Sequence, residues 1–373
     1  MRKILFLVIA SIAILSAEET FSESSEKTLG SATVASGLFF DASYLFLKAE
    51  IDGLVFAQTF DVSPVNAPTD IVQVKNRPKS LDFQWSSGVT AGVGYIFPQR
   101  EQYQLSAYWT YLHSSADKKI HQNGTIDQHF IAPMWLPFLS GAVADRADAN
   151  WALNFNVADL ALSRNVLIGN WFSLAPKLGL RAAWVNQDYK VKYHGGFNFN
   201  DGGVSDIIFE DTSLVASNEF TGIGPRVGTE LQFYLMKNLS IMGGFFASVL
   251  YGEFEVRELF TGGLLVDFGA GAQLLHEQLN LRKDFSAVRP AIETKIGLCW
   301  DRFFNDEQNR ILIGAFYRLD YWFDQNEFIN QANSRDSSPI NGTTINQNNN
   351  IINIRPDGNL QMQGLEVELR IEF

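Results

Sequence analysis

Beyond residue 36 the chain reads as a succession of two-residue alternations. Leu38, Phe40, Ala42, Tyr44 and Phe46 interleave with Phe39, Asp41, Ser43 and Leu45. Phe83, Trp85, Val89, Ala91, Val93, Tyr95 and Phe97 interleave with Asp82, Gln84, Ser86, Gly88, Thr90, Gly92 and Gly94. The last stretch is the cleanest, with Leu365, Val367, Leu369, Ile371 and Phe373 set against Glu366, Glu368, Arg370 and Glu372. A period of two gives a β-strand one apolar face and one small or polar face. The pattern predicts strands at 37–60 (kinked at Asp52-Gly53), 81–97, 101–114, 150–164, 171–193, 217–235, 239–258, 284–301, 310–326 and 358–373.

Connection lengths select the architecture. They alternate between short links of 3 to 8 residues and long ones of 20 to 35. Outer-membrane barrels combine short periplasmic turns with long external loops in this way, and bacterial ones carry an even strand number. The expected fold is therefore all-β, a transmembrane antiparallel up-and-down barrel of ten strands, with long external loops at 61–80, 115–149, 194–216, 259–283 and 327–357. Twelve strands is the alternative, if the first strand divides and 259–281 adds an element. In hydrocarbon every backbone group must be paired, and a lipid-facing charge costs a few kcal/mol. The Leu/Val/Ile/Phe face is thus expected to look outward and the charged and glycine face inward. Tyr95, Phe97, Tyr103, Trp171, Phe233, Trp300 and Tyr321, close to strand ends, suit the interfacial aromatic girdles.

The termini agree. Arg2 and Lys3 precede the apolar run Ile4 to Leu15, then Ser16-Ala17 and the acidic Glu18-Glu19. This order describes a secretory signal peptide over 1–17, followed by a Ser/Thr/Glu-rich periplasmic leader at 18–36 and the barrel at 37–373. The terminal Phe373, closing an alternating strand, matches the signal read by the barrel-assembly machinery.

Charge and cysteine content narrow the function classes. With 29 Lys+Arg against 41 Asp+Glu the chain carries −12, and −14 once Arg2 and Lys3 are removed. A nucleic-acid partner bound through a basic face is excluded on that balance. One cysteine, Cys299, allows neither an internal disulfide nor a cysteine zinc site.

Several segments together resemble the Legionella and environmental-chlamydia major-outer-membrane-protein-like family. They are the run Tyr44 to Ala57, Trp85 with Gly88, Gly92-Val93-Gly94-Tyr95, Trp109-Thr110-Tyr111, Trp151 to Asp159, Gly179-Leu180-Arg181, Gly222 to Arg226, Ala247 to Phe254, Gly297-Leu298-Cys299-Trp300 and Gln363-Gly364-Leu365. The resemblance spans nearly the whole exported chain and implies a pore-forming outer-membrane barrel. It departs from the cysteine-rich chlamydial proteins, whose disulfides cross-link the envelope.

The expected function is a porin-like channel for passive diffusion of small solutes or ions; the alternative is a structural or adhesive barrel acting through its loops. Arg181, Arg226, Glu230, Arg289, Glu293, Lys295, Arg318, Asp320, Glu366, Glu368 and Arg370 fall on the inward face. They either line a water-filled path and set its selectivity, or pair across a narrow lumen and fill it. The apolar stretch His129 to Leu139 is expected to constrict the mouth, meet a neighbouring subunit or pack beneath the loops. The Asn-rich 327–357 loop reads as solvated. Outer-membrane lipid and the assembly machinery are the expected partners, a homo-oligomer stays open, and no cofactor or metal is implied. His113, His121, His129, His194 and His276 lie near external loops, but without a Gly-x-Ser-x-Gly or His-Glu-x-x-His pattern no enzyme is expected.

Overall fold

The computed structural model describes residues 37–62, 74–97, 103–122, 129–135, 142–169, 171–195, 197–198, 208–209, 211–267, 272–304, 309–335, 349–354 and 358–373. The signal peptide and leader expected at 1–36 lie outside these residues. Ten long strands make the wall. They are β1 (Gly37–Ile51), β2 (Trp85–Ile96), β3 (Tyr103–His121), β4 (Arg146–Arg164), β5 (Phe172–His194), β6 (Thr212–Met236), β7 (Leu239–Asp267), β8 (Ala272–Phe304), β9 (Asn309–Asn326) and β10 (Gly358–Glu372). Each pairs antiparallel with its sequence neighbours, and β1 pairs with both β2 and β10. The sheet thereby closes, and no backbone edge is left facing lipid. Phe40 lies opposite Ile371 at the seam, and the Phe373 amide donates to the Leu38 carbonyl at 2.9 Å.

The links β2–β3, β4–β5, β6–β7 and β8–β9 sit at one end; at the other lie four longer connections and the four residues 268–271 between β7 and β8. The aromatic girdle forms at the short-turn end. There Tyr95, Phe97, Trp171, Phe233 and Trp300 are exposed, and Phe172 and Phe233 pack across β5 and β6 with ring centres 4.7 Å apart.

Three expectations need correction. The first strand does not run to residue 60. It ends at Ile51, the chain turns at Asp52-Gly53 (Gly53 φ +88°), and Val55–Val62 joins Val74–Ser80 and His129–Pro133 in a separate three-stranded sheet. The connection placed at 259–283 is mostly strand, because β7 continues to Asp267 and β8 begins at Ala272. β7 and β8 stay paired through this stretch, with charged side chains on the outside at Arg257 and Arg282. Among the described residues no eleventh or twelfth strand enters the closed ring, so ten is the barrel number.

The third correction concerns which face is apolar. Near the short turns the faces are as expected. β5 shows Leu174, Leu178, Leu180 and Trp184 outward and Lys177 and Arg181 inward. Higher on the same strand Asp188, Lys190 and Lys192 face outward, while Val185, Tyr189, Val191 and Tyr193 face inward and are buried. The same exchange occurs on β1 (Lys48 and Glu50 out, Leu47, Ala49 and Ile51 in) and on β4 (Asn150 and Asn154 out, Trp151, Leu153 and Phe155 in). The outward apolar run covers about 9 to 13 residues per strand, for example Leu365 to Phe373 and Leu239 to Tyr251. Tilted strands need about 9–11 residues to cross the hydrocarbon layer. The rest of each strand rises into water and closes over an ordinary apolar core that includes Trp151, Phe155, Tyr189, Phe220, Phe254 and Trp322.

Candidate functional site: the lumen

All eleven inward charges expected from the sequence point into the barrel. Their spacing on the strands brings opposite signs together. Arg181 on β5 stands directly across from Asp159 on β4, and its guanidinium grips that carboxylate with two bonds of 2.7 Å. Its third arm reaches Glu293, which also accepts from Arg226 at 2.6 Å. Lys295 on β8 lies 2.8 Å from Glu368 and 3.5 Å from Glu366 on β10. Arg318 bridges Asp320 at 2.9 Å and Glu366 at 3.2 Å. Nearer the short-turn end Arg370 pairs with Glu372 at 2.7 Å, and Lys177 with Glu230 at 2.8 Å. Arg289 stands apart, higher in the barrel, paired with Glu327.

Sequence reading missed several members. Asp159, Lys177, Asp41 and Arg310 belong to the same network, as does Glu372, which shares the inward register of Glu368. The signal was present for Asp159, an acid on the small-residue face at the height of Arg181 on the next strand. Tyr108 was also missed; its hydroxyl donates to Asp41 at 2.7 Å.

Aromatic rings complete the lining. Arg370 lies 3.8 Å from the centre of the Phe39 ring, Arg226 4.0 Å from Phe246 and Lys295 4.5 Å from Phe316. Each ring covers a glycine. A Cβ on Gly94 would sit 2.1 Å from Phe39, one on Gly228 2.2 Å from Phe246, and one on Gly314 2.4 Å from Phe316. Glycine is required there to admit the ring, so these inward glycines floor the rings that hold the cations and do not line open water.

The network leaves gaps. A cavity of about 110 Å³ is bordered by Tyr108, Asp159, Arg226, Glu230, Arg318 and Glu368. A second, of about 80 Å³, lies toward the short turns among Gln104, Ser173, Gln232, Arg310 and Glu372. They share Glu230, Met242, Leu312 and Arg370 as a common wall. A water needs roughly 10–15 Å³ and two to four polar partners, so both spaces suit several waters.

Above this column the interior is closed by two chain segments. Of the apolar stretch 129–139, residues 136–139 lie outside the described residues. Trp135 packs inward, its indole N–H donating to the Val55 carbonyl at 2.9 Å and its amide to the Tyr193 hydroxyl at 3.2 Å. Residues 325–329, at the start of the 327–357 connection, enter from the opposite side and are buried. Gln187 and Asn218 donate to the Gln325 carbonyl at 2.9 and 2.8 Å, Glu327 pairs with Arg289, and the Ile329 amide donates to Glu258 at 2.6 Å. Tyr189 stands between the segments, 5.2 Å from the Trp135 ring and 5.7 Å from Phe328.

The histidines do not assemble a comparable site. His194 lies 2.9 Å from Asp211 and 3.6 Å from Asp148, which is itself held at 2.9 Å by Arg146. That bond and the charge of Arg146 hold the Asp148 carboxyl below the usual carboxylate range. His113 bonds Asn154 at 2.8 Å. Among the described residues no group of three or more His, Cys, Asp or Glu is placed to hold a metal.

A search of curated proteins finds no match to the chain's sequence. Among solved structures it is similar to the outer membrane protease OmpT from Escherichia coli, with 9% identity, 90% of this chain and 96% of that chain covered, and a TM-score of 0.37. It is similar also to a Pseudomonas aeruginosa FadL homologue (8% identity, 91% and 90% covered, TM-score 0.24) and to the P. putida toluene transporter TodX (8%, 92% and 91%, TM-score 0.23). Likenesses of that size carry no functional argument. The family model described as Legionella pneumophila major outer membrane protein precursor matches residues 32–373, nearly the full length. The chain thus belongs to the Legionella major outer membrane protein family and is a barrel of the bacterial outer membrane.

Proposed function

We propose that the barrel is a channel for passive movement of small ions and solutes, narrow through its charged column and closed at its outer mouth in the conformation described. The observation that carries this reading is the buried charge within the membrane layer. Ionisable groups there are costly, and well-packed apolar residues would hold a purely structural barrel at least as firmly. A column of paired charges with room for water is what a conduction path needs. Both signs alternate along it, so strong selectivity for either ion is not expected. No catalytic role is assigned: of the rim histidines His194 lies against Asp211 and Asp148, whereas His113 bonds the Asn154 amide.

A second reading has its own support. The outer half is filled by an apolar core, which stiffens the protruding walls and suits a barrel whose work is to display its outer surface. Planar-bilayer recordings of refolded protein, after a heat-modifiability gel has shown the closed barrel, separate the two. Reproducible conductance steps are expected. A folded barrel that never conducts, even with residues 325–329 replaced by Gly and Ser, overturns the channel reading in favour of the structural one.

A further inference from the structure

The two closing segments differ in how firmly they are held. Trp135 follows two residues after the last strand of the outer three-stranded sheet and is fixed by two bonds to β-structure. Gln325 and Asn326 are the last residues of β9, Asn326 lying opposite Gly358, and 327–329 belong to no sheet. β9 loses its register with β10 between Trp322 and Asn326, and Asp324 at that point has φ +50°, a left-handed conformation costly for a residue with a Cβ. Both amide atoms of the buried Gln325 side chain find no partner among the described residues. Such groups cost free energy while they stay buried.

The far end of the segment is tied to one titratable group. Glu258 points inward from β7, seven residues above Tyr251, at a height where Glu253 and Arg257 on the outer face stand in water. Its carboxylate accepts the Ile329 amide. Around it Leu214 of β6, Phe260 of β7, Leu279 and Leu281 of β8, Trp135 and Ile329 enclose a void of about 20 Å³. None of these titrates. The charged groups next along the packed elements are Lys283 of β8, opposite Val256 with its ammonium over the Phe285 ring, and Glu327, engaged with Arg289.

We infer that residues 325–329 are a movable gate over the charged column, held shut through Glu258 and released as its carboxyl group ionises. Burial among apolar side chains pushes the Glu258 carboxyl up to about 7, and the Ile329 amide offsets this only in part. The closed state therefore binds the proton more tightly than an open state with Glu258 in water. Closure is strongest below the ordinary glutamate value of 4.5 and weakens as pH rises through about 7. The movement stands on the fold alone; its effect on conduction rests on the channel reading.

Labelling from outside tests the gate without requiring conduction. In lipid-reconstituted protein carrying Ile329→Cys and Cys299→Ala, a membrane-impermeant maleimide is expected to react at least tenfold faster at pH 8 than at pH 5. Rates are taken relative to an exposed Asn150→Cys control, which removes the thiol's own pH dependence. Adding Glu258→Gln should leave labelling slow at both pH values. Equal relative rates at the two pH values, or fast labelling in the Glu258→Gln protein, overturns the proposal. If the cysteine variant fails to fold, hydrogen exchange on the unmodified protein decides the matter. Amides 327–329 should lose protection between pH 5 and 8 while those of β5 keep theirs, and unchanged protection at 327–329 counts against the gate. Bilayer recordings then separate the two claims. pH-dependent labelling in a barrel that never conducts keeps the gate and removes the channel; steady conduction with pH-independent labelling does the reverse.

Discussion

On β4, Leu160 and Leu162 face outward near the short turns, whereas Asn150 and Asn154 face outward further up. Inside, Asp159 occupies the lower position and Trp151, Leu153 and Phe155 the upper ones. One strand thus obeys two opposite rules, and the difference lies in what bathes each half. Around the lower half the outer medium is hydrocarbon, so apolar side chains lose nothing outside, and polar ones are tolerable only where they meet each other within. Around the upper half the outer medium is water, and removing apolar surface from it again drives the core inward. The molecule is a membrane barrel continued as a soluble one.

The sharpest way to break this contrast is to unbalance the lower interior. Arg181→Ala removes the cation that two carboxylates share and leaves Asp159 and Glu293 facing each other, with Arg226 the remaining hydrogen-bonded cation. Breaking a buried pair on one side costs about 3–5 kcal/mol, so the heat-modifiable folded band should weaken sharply and the urea midpoint fall. In the upper interior the corresponding change is Trp151→Ala, which creates a cavity where the ring meets Phe83 at 5.5 Å. Its expected cost is similar, about 3–5 kcal/mol, from a different cause. Adding a small apolar ligand should recover part of the loss in the Trp151 variant and none in the Arg181 variant.

Much of this was legible before any coordinates, for a definite reason. Strand register fixes inside against outside by a period of two, so the eleven lumen charges and the ten strands followed from alternation and connection length. The exchange of faces was less visible because alternation persists through it. Leu45, Leu47, Ala49 and Ile51 continue the register of Phe39 and Asp41 without a break, and only the change of medium alters what that register means. The gate segment was not legible at all. Gln325 to Ile329 run through the end of a strand and carry no turn signal of Gly or Pro; what seats them inside is contact with Gln187, Asn218, Arg289 and Glu258 on four other strands.

Position along a single face gives a finer test. Leu160→Arg and Asn150→Arg place the same charge on the outer face of the same strand. The first meets lipid and should cost about 2–4 kcal/mol at mid-membrane depth. The second meets water and should stay within about 0.5 kcal/mol. Urea titrations in lipid of fixed thickness measure both, and equal costs would show that the boundary lies elsewhere.

The smallest expected effect separates the two media by a pair of like geometry. Lys118 and Asp82 approach to 2.9 Å in the upper half, with the Asp82 side chain 62% exposed. Lys295 and Glu368 approach to 2.8 Å inside the lower half, where both side chains are largely buried. Distance alone would make the two pairs equal. The exposed pair, however, loses most of its attraction to water and ions, so Asp82→Asn should cost less than about 1 kcal/mol. Even that should shrink between 0.1 and 1 M salt, as the screening length falls from about 10 to about 3 Å. Glu368→Gln should cost about 1–3 kcal/mol, because the buried Lys295 keeps only the longer contact to Glu366. That cost should not respond to salt, since ions do not screen a pair enclosed by the wall. A salt-dependent loss at Glu368 would mean that electrolyte reaches the column freely, and the lower half would then have to be read as open water lined by charges.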